Sequence, residues 1–102
     1  MKTKDGKTSR IEQLKTRLMP ILAAYNVAKA AFFGSVVRND FSDTSDIDIL
    51  VAFTERKSLL DIIGLEQDIE DRIGRDVDLL TYDSLHRLLK DKILAEQVVF
   101  YP

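Results

Sequence analysis

A chain of 102 residues that is 45% apolar and 31% charged can bury one ordinary core without covalent staples, and it is too short for two domains of usual size. Its formal net charge of -2 argues against a surface that grips long nucleic acid through phosphates, and the lack of cysteine excludes disulfides and thiolate metal sites. No apolar run approaches the ~20 residues of a membrane span, so a cytoplasmic protein without membrane attachment is expected.

Residues 1–8, "MKTKDGKT", have no periodicity and read as a flexible tail, which leaves 9–102 as a single domain. Ser9 and Glu12 have capping-box spacing, and Ile11, Leu14, Leu18, Ile21, Leu22 and Tyr25 recur at helical intervals. They predict one helix that Pro20 kinks or splits. After a turn near Asn26, "AKAAFFG" reads as a short strand ended by Gly34. Residues 35–45, "SVVRNDFSDTS", read as a polar connection opening with a helical turn or two capped by Ser35, and Ile47–Phe53 as the second strand.

Ser58 and Asp61 form another capping signature. The helix they start carries Leu59, Ile62, Ile63, Leu65, Ile69 and Ile73 as its inner stripe and stops at Gly74, and Gly64 weakens it by roughly 1 kcal/mol relative to alanine. "DVDLLTY", residues 76–82, is the third strand. Asp83 or Ser84 is expected to cap a last helix that buries Leu85, Leu88, Leu89, Ile93 and Leu94, before "VVFY" closes the chain as an edge strand or apolar tail. Tyr82 and Tyr101 read as packing residues with wet hydroxyls, and His86 as a partly exposed residue of the last helix's first turn.

This order predicts an α/β fold with a mixed sheet. The short link between strands one and two suits an antiparallel pair, and the helical crossover to strand three suits a parallel pair. One edge then collects Gly34, Ser35, Asp46, Asp48 and either Asp76 or Asp78. Aspartates are rare in strands, and like charges side by side repel. Such an all-oxygen set suits a hard cation, Mg²⁺ or Mn²⁺. Facing it, Gly34 permits close backbone approach and Ser35 adds a hydroxyl at an expected anion site, which together describe a place for a nucleoside triphosphate. A Gly-Ser pair alone is usually only a turn, and an Asp-x-Asp pair usually two surface side chains; their combination carries the signal.

The stretch "FFGSVVRNDFSDTSDIDILV" resembles the signature of the minimal nucleotidyltransferases, small members of the DNA polymerase beta superfamily, and the likeness runs from about Leu14 to Tyr101. It implies the nucleotidyltransferase fold, three to four strands with flanking helices. It implies further that Gly34 and Ser35 contact the triphosphate, that Asp46 and Asp48 hold two Mg²⁺ ions, and that Asp78 is the third acid. Asp78-Leu79-Leu80 fits the family pattern better than Asp76-Val77-Asp78, which leaves Asp76 at the surface. Arg38 matches the family's arginine and either touches the triphosphate or pairs with Asp40 or Asp43. Val37 and Asn39 depart from the pattern, standing where relatives have a small residue and glycine.

The implied reaction is attack of an acceptor hydroxyl on the α-phosphorus of ATP, with pyrophosphate leaving and Asp78 orienting or deprotonating the acceptor. With no second lobe expected, a partner must bring the acceptor. The resemblance implies a HEPN-type helical toxin, silenced by AMP placed on a tyrosine. Two other readings are a non-enzymatic antitoxin that covers its partner and a transferase for a small molecule of the aminoglycoside kind.

Overall fold

The computed structural model describes residues 6–38 and 40–102. Helix α1 spans Gly6–Ala24 and runs through Pro20 without a break. Proline costs an interior helix about 3 kcal/mol, but Leu18, Ile21 and Leu22 on either side of it are buried in the core, and each such side chain contributes about 1.5–3 kcal/mol. Tertiary burial therefore outweighs the lost hydrogen bond. The helix begins ahead of Ser9, so the Ser9–Glu12 spacing lies inside it and caps nothing. Of the expected tail, residues 6–8 belong to α1 and 1–5 lie outside the described residues.

Asn26, at φ 61°, makes the left-handed turn into β1, Val27–Phe33, a conformation asparagine tolerates better than most residues. A 3₁₀ turn, Gly34–Val37, follows; Phe33 stands at its cap position, so Ser35 lies inside the turn and does not cap it. Strand β2 is Ile47–Phe53, as read from the sequence. Helix α2, Leu59–Ile73, has the predicted ends. Ser58 Oγ accepts the Asp61 N–H at 3.2 Å, the Asp61 carboxylate accepts the Ser58 N–H at 3.2 Å, and Gly74 closes the helix at φ 69°. Ser58→Ala should cost about 1 kcal/mol, read as a lower urea midpoint with unchanged slope.

Strand β3 is Val77–Thr81, α3 is Arg87–Glu96 and β4 is Val98–Tyr101. The start of α3 corrects the expected cap. Asp83 and Ser84 lie in a short 3₁₀ turn, with Ser84 Oγ donating back to the Thr81 carbonyl at 2.9 Å. His86 is the cap instead, its Nδ1 accepting the Leu88 N–H at 3.1 Å, and it is exposed. The predicted inner stripes are too broad as well: Leu59, Ile63, Leu88 and Leu89 are exposed. Helix α2 packs through Ile62, Leu65, Ile69 and Ile73, and only Leu85, Ile93 and Leu94 from the α3 region reach a core cluster.

The sheet order is β3-β2-β1-β4, with β1 antiparallel to β2 and β4, and β2 parallel to β3. Alternation along the strands separates two faces. Phe32, Ile47, Ile49, Val51, Val77 and Leu79 pack with α1 and α2, and Phe32 stacks on Phe100 with centroids 4.0 Å apart. Ala31, Phe33 and Leu50 pack under Leu80, Ile93 and Leu94 on the α3 side. At the β3 edge, Val77 N–H donates to Glu70 at 2.9 Å and Leu79 N–H to Glu66 at 3.0 Å. Among the described residues no helix is long and apolar enough to cross a membrane.

Candidate active site

Strand register brings the predicted acids to one end of the sheet. Asp48 lies opposite Phe33 of β1 and beside Asp78 of β3, so it shares the α3 face with both. Asp46 stands just ahead of β2, and Asp76 just ahead of β3 with its carbonyl accepting the Ile47 N–H at 3.0 Å. The pairing of Asp48 with Asp78 sets Asp78, not Asp76, next to Asp48. Asp46 and Asp78 are exposed and Asp48 is half-buried. Burial first, then the charges of Asp78 and Asp46, push the Asp48 carboxyl up to about 6; Arg38 acts in the opposite direction.

Gly34 faces Asp48. Its φ is +75°, and a Cβ placed there would fall far inside contact distance of Asp48 Oδ2 and close to the rest of that side chain. Only glycine lets the turn lie so close to the acid. Ser35 is partly exposed; its carbonyl accepts the Arg38 N–H at 3.0 Å, and its hydroxyl bonds to no described residue.

Arg38 is exposed and engages two carboxylates, Asp40 through Nε at 3.2 Å and Glu96 through Nη1 at 2.8 Å. Glu96 also accepts the Gly34 N–H at 2.9 Å. Burial raises the Glu96 carboxyl, but the bonds from Arg38 and Gly34 outweigh it and hold the group below its ordinary value. Val37 is buried in the turn, and Asn39 lies outside the described residues.

The loop from Arg38 to Asp46 is clamped by two arginines that sequence reasoning did not single out. Arg10 of α1 donates to the carbonyls of Val36 and Arg38, and Arg75 donates to those of Ser42 and Ser45. Both guanidinium groups sit 4.5 Å from the Phe41 ring centroid, a cation–π arrangement that ties the loop to α1 and to the start of β3. Periodicity could not have found them, since each contact joins residues about 26 to 33 positions apart.

Among the described residues no three Asp, Glu, His or Cys side chains are gathered closely enough to hold a metal ion between them. The chemistry of the donors nevertheless fits Mg²⁺ or Mn²⁺. Such ions need only one or two carboxylates when phosphates and water complete the shell, and Asp48 pairs with Asp78 in the strand register while Asp46 stands just ahead of the same strand as Asp48. A cavity of about 510 Å³ at the other end of β2 and β3, lined among others by Phe53, Arg56 and Tyr82, contains none of the predicted site residues.

Residues 16–102 match the family described as polymerase beta, nucleotidyltransferase. A solved structure provisionally named a minimal nucleotidyltransferase superposes with a TM-score of 0.75 at 27% identity, covering 95% of this chain and 98% of that one. The mixed sheet with its three helices is the nucleotidyltransferase fold. The chain belongs to the polymerase beta nucleotidyltransferase family. It is 51% identical over 88 residues to a Methanocaldococcus jannaschii protein with the provisional name protein adenylyltransferase MJ0435, covering 86% of this chain and 95% of that relative. A complex of tri-AMPylated Shewanella oneidensis HEPN toxin with MNT antitoxin contains a chain of the same fold, with a TM-score of 0.70 at 18% identity over 88% of this chain and 71% of that one.

Proposed function

We propose that this chain is a protein adenylyltransferase that moves AMP from ATP to a hydroxyl of a HEPN-type helical partner and so acts as its antitoxin. The observation that carries the reading is the approach of Gly34 to Asp48, which leaves no room for a side chain between the turn that carries Ser35 and the set of acids. A triphosphate needs both parts, donors for its oxygens and acids that recruit neutralising cations. The 51% relative, named for this activity, supports the reading, as does the Shewanella oneidensis complex for the partner class.

In this reading Gly34, Ser35 and Arg38 bind the phosphates. Asp46, Asp48 and Asp78 would hold Mg²⁺ or Mn²⁺, which when bound stabilises charge on the attacking and leaving oxygens. The acceptor oxygen forms a bond to the α-phosphorus as the bond to pyrophosphate breaks, and Asp78, exposed beside Asp48, takes or orients the acceptor proton. The partner fixes the acceptor in line, which supplies much of the catalytic advantage. Water and free nucleosides should therefore be poor acceptors.

The test is intact-mass spectrometry of a HEPN-type partner incubated with the protein, ATP and Mg²⁺. Mass increments of whole AMP residues on the partner are expected, and chelation of divalent ions should prevent them. A partner that is neutralised with no increment would replace catalysis with binding as the function.

A further inference from the structure

We propose that Glu96 is a positioning residue, whose carboxylate holds Gly34 and Arg38 in the arrangement that receives the triphosphate. The inference rests on the reading of Gly34, Ser35 and Arg38 as the phosphate cradle. One oxygen of Glu96 accepts the Gly34 N–H at 2.9 Å and the other accepts Arg38 Nη1 at 2.8 Å, so a single carboxylate spans the two ends of the Gly34–Val37 turn.

Its own place is well fixed. Glu96 is the last residue of α3, and two positions later Val98 pairs with Phe32 of β1. The side chain is only 22% exposed, which strengthens both charge-assisted contacts relative to a solvated pair. The clamp also leaves donors available. Arg38 uses Nε for Asp40 and Nη1 for Glu96, while Nη2 and the Ser35 hydroxyl bond to no described residue. A carboxylate that merely mimicked the ligand would be expected to occupy the hydroxyl as well. Glu96 instead binds the turn by its flanks.

Without it, the Arg38 side chain loses the stronger of its two anchors, and the Gly34 amide loses its acceptor in a left-handed conformation. The cradle would then have to be ordered by the nucleotide itself, and the ordering entropy would appear as lost affinity.

The experiment measures binding of a non-hydrolysable ATP analogue with Mg²⁺ to the full chain by calorimetry, alongside thermal melts. Glu96→Ala should weaken binding about tenfold. Glu96→Gln, which keeps an acceptor for the Gly34 amide but not the charge for Arg38, should fall between it and wild type. Because Glu96 acts through Arg38, the Glu96→Ala/Arg38→Ala double variant should bind less than additively worse than the single changes. A purely structural role would lower the melting temperature without that coupling, and would overturn the proposal. So would unchanged affinity in Glu96→Ala, while tighter binding would make Glu96 a competitor of the phosphate. Failure of the cradle reading gives a different pattern: Arg38→Ala and Gly34→Val would then bind the analogue as well as wild type does.

Discussion

Asp48→Asn should stop AMP transfer while making the metal-free protein more resistant to heat at neutral pH. The carboxyl is half-buried beside Asp78 and Asp46, and its pKa is pushed up to about 6. The unfolded chain titrates this group near 3.9, so between about pH 4 and pH 6 the native state binds the proton more tightly. Stability contributed by this group is therefore present below pH 4 and lost as pH rises to about 6, beyond which the full penalty applies. Asparagine removes the penalty. Solvent screening of a partly exposed group cuts the gain to about 1–2 kcal/mol at pH 7, or several degrees of melting temperature. Melts at pH 7 and pH 4 should show the advantage of the variant at the first and its disappearance at the second. On the proposed function, transfer to the partner should drop on the order of 10³-fold or more, since a carboxylate that would hold the neutralising cation is gone. Transfer at the wild-type rate would remove Asp48 from the site.

Gly34→Val should be the most damaging change to the turn. At φ +75° a β-branched residue is strained by about 1–2 kcal/mol or more, and its Cβ would collide with the Asp48 carboxylate. Loss of about 2–4 kcal/mol of stability is expected, together with about a hundredfold loss of nucleotide affinity as the turn that carries Ser35 and leads to Arg38 is driven from its place. Gly34→Ala should be milder but of the same sign. Combining Gly34→Ala with Asp48→Ala should recover part of the stability, because the nearest colliding atoms are then absent. Denaturant melts and calorimetry test both points; a Gly34→Val protein with wild-type melting and affinity would contradict the close approach.

The features legible in the sequence are those set by local chemistry. The bounds of β2, the Ser58–Asp61 capping box and the left-handed Gly74 all depend on residues within a few positions of one another. The antiparallel and parallel pairings follow from link lengths, and they alone carry Asp48 to Asp78. Where local signals competed, tertiary packing decided. The Ser9–Glu12 pair is overrun by a helix that begins earlier, and Asp83 and Ser84 yield the cap to His86 because the chain first makes a 3₁₀ turn. Leu59, Ile63, Leu88 and Leu89 have helical spacing but face outward, since hydrophobic period gives a stripe and not its width. Glu96 was invisible for another reason: its partners lie 62 and 58 residues away in sequence.

The two glutamates of α2 that accept the outward N–H groups of β3 have a consequence for self-association. A sheet edge with free amides is a template on which another strand can add, in aggregates as well as in specific complexes. Glu66 and Glu70 occupy those amides with charged acceptors, so an incoming strand at β3 would have to displace them and leave their charges without the backbone donors they hold. The opposite edge, β4, ends the sheet with a four-residue strand whose Val99 is exposed. Addition of a strand is thereby disfavoured at β3, the edge that bears Asp78.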